Sequence, residues 1–536
     1  RTRLARAIGE AEALLADVQE VTPAGEFPIV AEPVTYDLLV GYSPATQSGD
    51  FEENPFTIWY EERTNVRFNF DATATDQMGE KRNLVLASGD YPDVMLNMQL
   101  SIPQAYQLGE QGVIHDLSDA IDRYTSNLQD VFEQEPWVVG QMTAPGGGQY
   151  FLPWINAGCF HCEYSQRAYL YEPWLDQLGL QTPTTTDELR QVLAAFVEQD
   201  PNGNGESDEL GLMGAATGWR TEPYVFLMNS FIYTNPSSSP FLRVNDEGEA
   251  EFVANTTEWR DGLRYLNSLY EDGLIAPESF VQSDSQMKVF GENPEGPMVG
   301  MFLGGHFGVF GDLGQPEGRW TAYPPLEPLA GPDGYRSTPH FLHQVAAHLV
   351  VFDQVAQPEI MVRWADFFYT FEGFMRGVKG YEEGVHYRLI SESEEVPNLT
   401  GAEPAFYDIF DDAQSGFGSN DSLGWENSTV RYWNRRMFEG EASTGPAGQG
   451  PVLIRAADAY SRYDTGEAMP VVIFPPDVAS EIGELESIIS DSVTSFLARF
   501  VVGELDIETG WDSYVQELEN LGLERYVELY NEHMPQ

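Results

Sequence analysis

The chain has 536 residues, enough for two or more lobes, and its 42% hydrophobic and 13% aromatic content is that of a folded protein. Against 85 Asp and Glu stand 28 Lys and Arg, only Lys81, Lys288 and Lys379 being lysines, for a formal charge of -57. That field excludes nucleic acid and anionic membrane surfaces as partners, since both need a basic footprint, and fits a protein working in high salt, where screening removes the self-repulsion.

Leu4, Ile8, Ala11, Leu14, Leu15 and Val18 recur at helical spacing, predicting a short amphipathic helix over residues 1–20. Pro23, Gly25 and Pro28 end it, so residues 1–32 read as helix plus tether. No stretch approaches the ~18 apolar residues of a membrane span and no positively charged apolar leader opens the chain, so the expectation is a cytosolic protein or one whose leader has been removed. A strand is predicted over 34–40, a polar loop over 41–54, a helix over 55–66 with Pro55 in its first turn, and a strand over 66–70. A helix over 77–87, stopped by Ser88-Gly89-Asp90, leads to a strand over 93–96. This β-α-β-α-β order predicts an α/β lobe with a right-handed parallel sheet, which binds ligands beyond the carboxyl ends of its strands. Asp50 and Glu52 lie in the loop at that edge.

Gly146-Gly147-Gly148 lacks the Gly-Lys-Ser/Thr ending of a phosphate cradle and reads as a hairpin turn; Gly304-Gly305-His306 is too short for a dinucleotide fingerprint. The two cysteines, Cys159 and Cys162, flank Phe160-His161. A zinc site would need two further ligands at matching spacing, and a thioredoxin-like pair would need to open a helix at the start of a βαβ unit. A local disulfide stiffening the loop in an oxidising compartment is the third and plainest reading.

Residues 200–209, Asp-Pro-Asn-Gly-Asn-Gly-Glu-Ser-Asp-Glu, carry oxygen donors at every second position. A calcium ion takes six to eight oxygens from loop positions 1, 3, 5, 7 and 9, with Gly at position 6. Asp200, Asn202, Asn204, the Glu206 carbonyl and Asp208 fill those positions, and Gly205 is the sixth. Position 12 is Gly211 where an EF-hand has an acid, so the closing carboxylate is expected from Glu209 or elsewhere in the fold, and the site is expected to be a structural clamp. An acidic turn without metal is the plain alternative.

Six segments, the acidic loop among them, are weak singly and strong together. They are 86–94 (Leu-Ala-Ser-Gly-Asp-Tyr-Pro-Asp-Val), 109–114 (Gly-Glu-Gln-Gly-Val-Ile), 174–180 (Trp-Leu-Asp-Gln-Leu-Gly-Leu), 270–275 (Tyr-Glu-Asp-Gly-Leu-Ile), the acidic loop, and the ending from Gly503-Glu504-Leu505-Asp506 to Leu521-Gly522-Leu523. From about Val34 onward the chain resembles the extracellular solute-binding proteins of ABC importers, in their long, lipoprotein-type, calcium-containing branch that includes alginate-binding proteins. The resemblance implies a two-lobed periplasmic-binding-protein fold (Venus flytrap, type II) with a multi-strand hinge and a ligand in the cleft. It implies a monomer that serves permease subunits, is held to the extracellular face of the membrane or in the periplasm by a lipid anchor outside this sequence, and keeps Cys159 and Cys162 as a disulfide. The lobes are expected as 33–152 plus about 290–345, and 153–289 plus about 346–536.

An oligosaccharide offers apolar CH faces and a rim of hydroxyls, so its site needs aromatic platforms beside groups that both donate and accept. Trp154, Asn156, His161, Tyr164, Trp219, Arg220, His306, Trp425 and Trp433 meet that description in loops, together with Asp50 and Glu52; Arg435, His340 and His343 are secondary candidates. Trp59, Trp174, Trp259, Trp364 and Trp511 fall in helical patterns and read as core, and His386 as scaffold. No Gly-x-Ser-x-Gly elbow or His-Glu-x-x-His site is present, and Asp/Glu pairs carry no information in so acidic a chain. An enzyme such as a polysaccharide lyase or glycoside hydrolase is therefore the alternative, with a sugar-sensing or adhesive binding protein as the third reading.

Overall fold

The computed structural model describes residues 18–44, 47–236, 239–311, 322–342, 344–401, 403–410, 423–442 and 449–535. The helix expected over 1–20 falls outside these except for 18–20, which carry no helix, and His343 falls outside as well. Two sheets organise the chain. The first contains β1 (Val34–Tyr42), β2 (Val66–Ala74), β3 (Val94–Leu100) and β4 (Leu152–Ala157). The second contains β5 (Arg167–Leu170), β6 (Leu210–Met213), β7 (Val299–Gly304) and β8 (Pro325–Leu326). The chain then returns to the first with β9 (Gln344–Val351) and β10 (Arg431–Asn434), giving spatial orders β10-β4-β9-β3-β1-β2 and β8-β5-β7-β6.

The opening β-α-β-α-β unit forms because each boundary is marked chemically. Asn54 caps the helix Pro55–Thr64 by accepting from the Phe56 N–H at 3.0 Å, and Asn65 ends it in the left-handed region at φ 60°. β1 pairs in parallel with β2 and β3, as expected; β2 and β3 each run four residues further than their apolar cores indicate. Gly89, at φ 72°, closes the helix Met78–Ser88.

Each sheet owns a separate apolar core. The first draws on residues from Ile29 to Ala157 and from Val345 to Met437; the second, in two clusters, on residues from Tyr164 to Leu329 and from Leu453 to Tyr530. The described residues between 290 and 329 thus pack with the second sheet and those from 344 to about 437 with the first, opposite to the expected assignment. β7 is buried along its whole length and pairs with β5 and β6, whereas β9 is wedged between β3 and β4. A fully apolar strand fits any sheet interior, so its composition does not say which one it joins. The chain therefore changes lobe three times: between β4 and β5, between β8 and β9, and between Met437 and Leu453. The helices Pro476–Val501, Ile507–Asn520 and Leu523–His533 finish the second lobe. No helix among the described residues is long and apolar enough to cross a membrane.

Candidate functional site

Where the chain passes between lobes, β4, β9 and β10 lie side by side. Trp154 of β4 stands level with Ala346 and Arg431, and Asn156 level with Gln344 and Trp433. Alternate residues of a strand share a face. These six make a floor two rows deep, and all six line a cleft of about 640 Å³. The Arg431 guanidinium lies 3.7 Å from the Trp433 ring centre and 5.3 Å from that of Trp154, so the two indoles and the cation pack as one unit. Arg431 is itself held by the Glu426 carbonyl at 2.9 Å and by Asn427 at 2.7 Å.

The first lobe adds Asn97, Gln99 and His348; the second adds Trp219, Arg220, Asp284, His306 and Phe341. The Arg220 guanidinium stacks 3.3 Å over Phe341 and donates through Nε to Ser165 at 3.2 Å. Trp219 is 37% exposed, enough to offer a ring face to a ligand, and its ring rests on Gly305, where a Cβ would meet it at 2.5 Å. That contact explains Gly305; a Cβ on the neighbouring Gly304 would meet Val309 instead, also at 2.5 Å. Arg167, fully buried, ties the crossing loop to this wall by donating to the carbonyls of Gly305 (2.6 Å) and His161.

Burial sets the protonation of the cleft. It lowers His348 to about 3 and His306 to about 4, with the charges of Arg431 and Arg167 adding to the effect, and it lowers His161 well below the usual range. At neutral pH these three imidazoles are uncharged. His306 Nδ1 accepts from the Gly308 N–H at 3.0 Å, which leaves Nε2 as a donor, and His348 Nε2 donates to the Asn427 carbonyl at 3.0 Å, which leaves Nδ1 as an acceptor. Burial also lowers Arg431 to about 9 and Arg220 to about 10, and raises Asp284. Two guanidiniums thus face two carboxyls, Asp284 and Glu426, in a chain whose net charge is -57.

Of the residues singled out from sequence, Trp154, Asn156, His161, Trp219, Arg220, His306 and Trp433 line this cleft. Four do not. Trp425 is 1% exposed among Phe51, Phe56, Phe70 and Trp364 and donates to Thr57 Oγ1 at 2.7 Å, a core residue directly before Glu426, which lines the cleft. Tyr164 is buried against His340 and donates to Asp464 at 2.9 Å, because the helical turn after Cys159 points it into the second lobe. Asp50 and Glu52 are exposed away from the cleft, Asp50 accepting from the Glu53 N–H at 3.4 Å to set the turn before the first helix. Of the secondary candidates, Arg435 pairs with Glu439 at 2.6 Å and His340 with Asp464 at 2.9 Å, neither lining the cleft. Sequence reasoning missed Gln99, Gln344, His348 and Arg431; only Arg431, two residues from Trp433 and so on its face, left a local signal.

Cys159 and Cys162 form a disulfide, with Cys162 on the cleft wall. With His161 they are the one cluster of closely grouped metal-ligand side chains among the described residues, but the bonded sulfurs offer no thiolate.

The acidic loop lies apart from the cleft, between the helix Thr186–Glu198 and β6. Asp200 accepts from the N–H groups of Asn204 (3.1 Å) and Gly205 (3.0 Å), Asn202 from Asn204 N–H (2.9 Å), and Asn204 from Glu206 N–H (2.7 Å). These turns fold the side-chain oxygens inward, and Gly203 and Gly205, at φ 74° and 82°, supply the left-handed bends. Glu209 is 5% exposed; its Oε1 accepts from Asn202 N–H at 3.3 Å while its Oε2 has no hydrogen-bond partner. A buried carboxylate oxygen without a donor, in a loop that also carries Asp200 and Asp208, fits a cation ligand.

Comparison with known proteins agrees with this geometry. Residues 43–373 match the model of the bacterial extracellular solute-binding proteins. The fructooligosaccharide ABC transporter substrate-binding protein FusA of Streptococcus pneumoniae is 27% identical over 526 residues, which cover 95% of this chain and 91% of FusA. Two solved FusA structures, one in complex with kestose and one of an EF-hand mutant in complex with fructo-nystose, each align with a TM-score of 0.77 at 25% identity, over 93% of this chain and 98% of theirs. The alginate-binding protein AlgQ2, solved without calcium ion, shares the fold with a TM-score of 0.73 at 21% identity, over 94% of this chain and 98% of its own.

Proposed function

The chain belongs to the bacterial extracellular solute-binding proteins, and we propose that it captures a neutral oligosaccharide between its lobes for an ABC importer, without chemistry of its own. The observation that carries this reading is the two-row floor. It lies where the chain changes lobe, so a ligand resting on it also meets Trp219 and His306 of the second lobe. Indole faces suit the CH faces of sugar rings, while the Asn156 and Gln344 amides carry both donors and acceptors and the neutral histidines add one donor and one acceptor, as hydroxyls require. Balanced charge in the cleft supports a neutral ligand over a uronate, which would need a surplus of cations.

FusA is a fructooligosaccharide binder, which supports kestose and fructo-nystose as first ligands to try. Kestose, fructo-nystose and an alginate oligomer should be compared by calorimetry and thermal unfolding, with chromatography of the recovered sugar. Micromolar or tighter binding of a neutral sugar, recovered intact, is the expected result. Binding of the uronate alone, or product formation, overturns the reading.

The acidic loop supports a bound calcium ion, held by Asp200, Asn202, Asn204, the Glu206 carbonyl, Asp208 and Glu209. The ion would offset the carboxylates and fix the joint between helix and strand in the second lobe. The excess of surface acid supports a working environment of high ionic strength, and the family resemblance supports a lipid tether and permease subunits as partners.

A further inference from the structure

Nine non-glycine residues among the described ones have φ between 42° and 62°, and four of them line the cleft: Asn97, Gln99, Arg220 and Glu426. Left-handed backbone is unfavourable for any residue with a Cβ, least so for Asn, and persists where the surroundings enforce it. Two of the four share one strand. β3 meets β9 at Leu96 opposite Leu349 and again at Leu100 opposite Ala347, so residues 97–99 stand against His348 alone. Such an insertion re-aims side chains beside a site.

The bulge is held from behind. Asn97 Nδ2 donates to the Gly41 carbonyl at 3.0 Å, and the Arg82 guanidinium donates to the carbonyls of Met98 (3.2 Å) and Gln99. Gly41 makes room, since a Cβ there would collide with the Asn97 carbonyl. Met98 is 1% exposed and anchors the excursion in the core. Asn97 thus uses its amide within the protein. Gln99 differs: its backbone is left-handed at φ 55°, its side chain is exposed and lines the cleft, and it stands on the first-lobe wall facing the second. A primary amide carries two donors and an acceptor, a match for neighbouring sugar hydroxyls.

We propose that the β3 bulge is a recognition device in which Gln99 contacts the hydroxyls of the bound sugar and sets specificity, with Asn97 and Arg82 as its positioning residues. The inference rests on the oligosaccharide reading of the cleft. It extends that reading by assigning a bent backbone to ligand binding.

Strain and contact can be separated by substitution in the full chain, with kestose and fructo-nystose as probes. Gln99→Gly removes the amide and suits the left-handed backbone, so affinity should fall about 5- to 10-fold while the sugar-free melting temperature rises about 1–3 °C. Gln99→Ala should lose the same affinity without the gain in melting temperature. Glu395→Gly, at a left-handed position of φ 49° outside the cleft, should melt higher and bind as wild type. Wild-type affinity in Gln99→Gly or Gln99→Ala, or a Gln99→Gly protein that melts no higher than wild type, overturns the proposal. A wild-type protein that neither sugar stabilises overturns the ligand reading, and this inference with it.

Discussion

The acidic loop and the cleft both carry oxygen-bearing side chains, yet their chemistry suits opposite partners. The loop folds acceptors inward around glycine bends and leaves the buried Glu209 Oε2 without a donor. The cleft mixes donors with acceptors, balances Arg220 and Arg431 against Asp284 and Glu426, and keeps its histidines neutral. A tight loop rich in carboxylates, with one buried carboxylate oxygen left without a donor, suits a cation, and a balanced surface with aromatic faces suits hydroxyls. The number of oxygens decides little; what else stands beside them decides the ligand.

If the two sites are independent, each can be disabled alone. Chelation should cause the largest change, since an ion that binds only the folded state at 100 times its Kd contributes about 2.7 kcal/mol. The melting temperature should fall, while sugar affinity, measured where the apo-protein is still folded, stays within about 2-fold, a shift small against the roughly 10-fold per 1.4 kcal/mol of binding energy. A chelator that abolishes sugar binding without shifting the melting temperature would break the comparison, as would unchanged calcium content in Asp208→Ala. Trp219→Ala should do the reverse. Loss of a central aromatic platform costs about 2 kcal/mol of binding, roughly 30-fold in Kd by titration calorimetry, with the sugar-free melting temperature nearly unchanged.

Acid should act next, and on the cleft. His306 and His348 titrate lower when folded, about 4 and about 3, than the usual 6.5, so below about pH 6.5 the unfolded chain takes up protons that the folded chain refuses. Their stabilising effect is complete above pH 6.5 and is lost as pH falls toward 4 and then 3. Thermal unfolding across pH 7 to 4 should show this decline, and His348→Gln should flatten it. Salt should matter least for binding. Raising it from about 0.1 to 1 M shortens the screening length from about 10 to 3 Å, which should lift the melting temperature of so acidic a chain and leave the affinity for a neutral sugar within about 2-fold. A steep salt dependence of affinity would point to a charged ligand.

The two sites were also unequally visible in the sequence. All the candidate ligand positions of the loop lie within ten consecutive residues, so spacing alone exposes the pattern. The cleft floor joins β4 to strands about 190 and 280 residues away, and nothing in the period of Gln344 or Arg431 says that they stand level with Asn156 and Trp154. Trp154, Asn156 and Trp433 were legible as aromatic and amide groups in polar stretches. Trp425, in the same stretch as Trp433, was not separable from it, because burial depends on which strand edge the segment meets. The first three strands were legible from their caps and apolar runs, whereas the lobe to which β7 and β9 belong rests on pairing that apolar composition leaves open.

The position of β9 has a consequence for how the chain comes into being. β9 lies between β3 and β4, so the β3 edge is unpaired on that side until residue 351 has emerged, about 250 residues after β3 itself. At synthesis rates of about 5–20 residues per second that is roughly 12–50 s, during which β1 to β3 present an open edge and the second lobe has most of its sheet at hand. The first lobe to begin therefore keeps an open sheet edge until all four strands of the second lobe's sheet have been made. A truncation ending near residue 340 should expose an unpaired, aggregation-prone edge, and β9 acts as the strand that seals it.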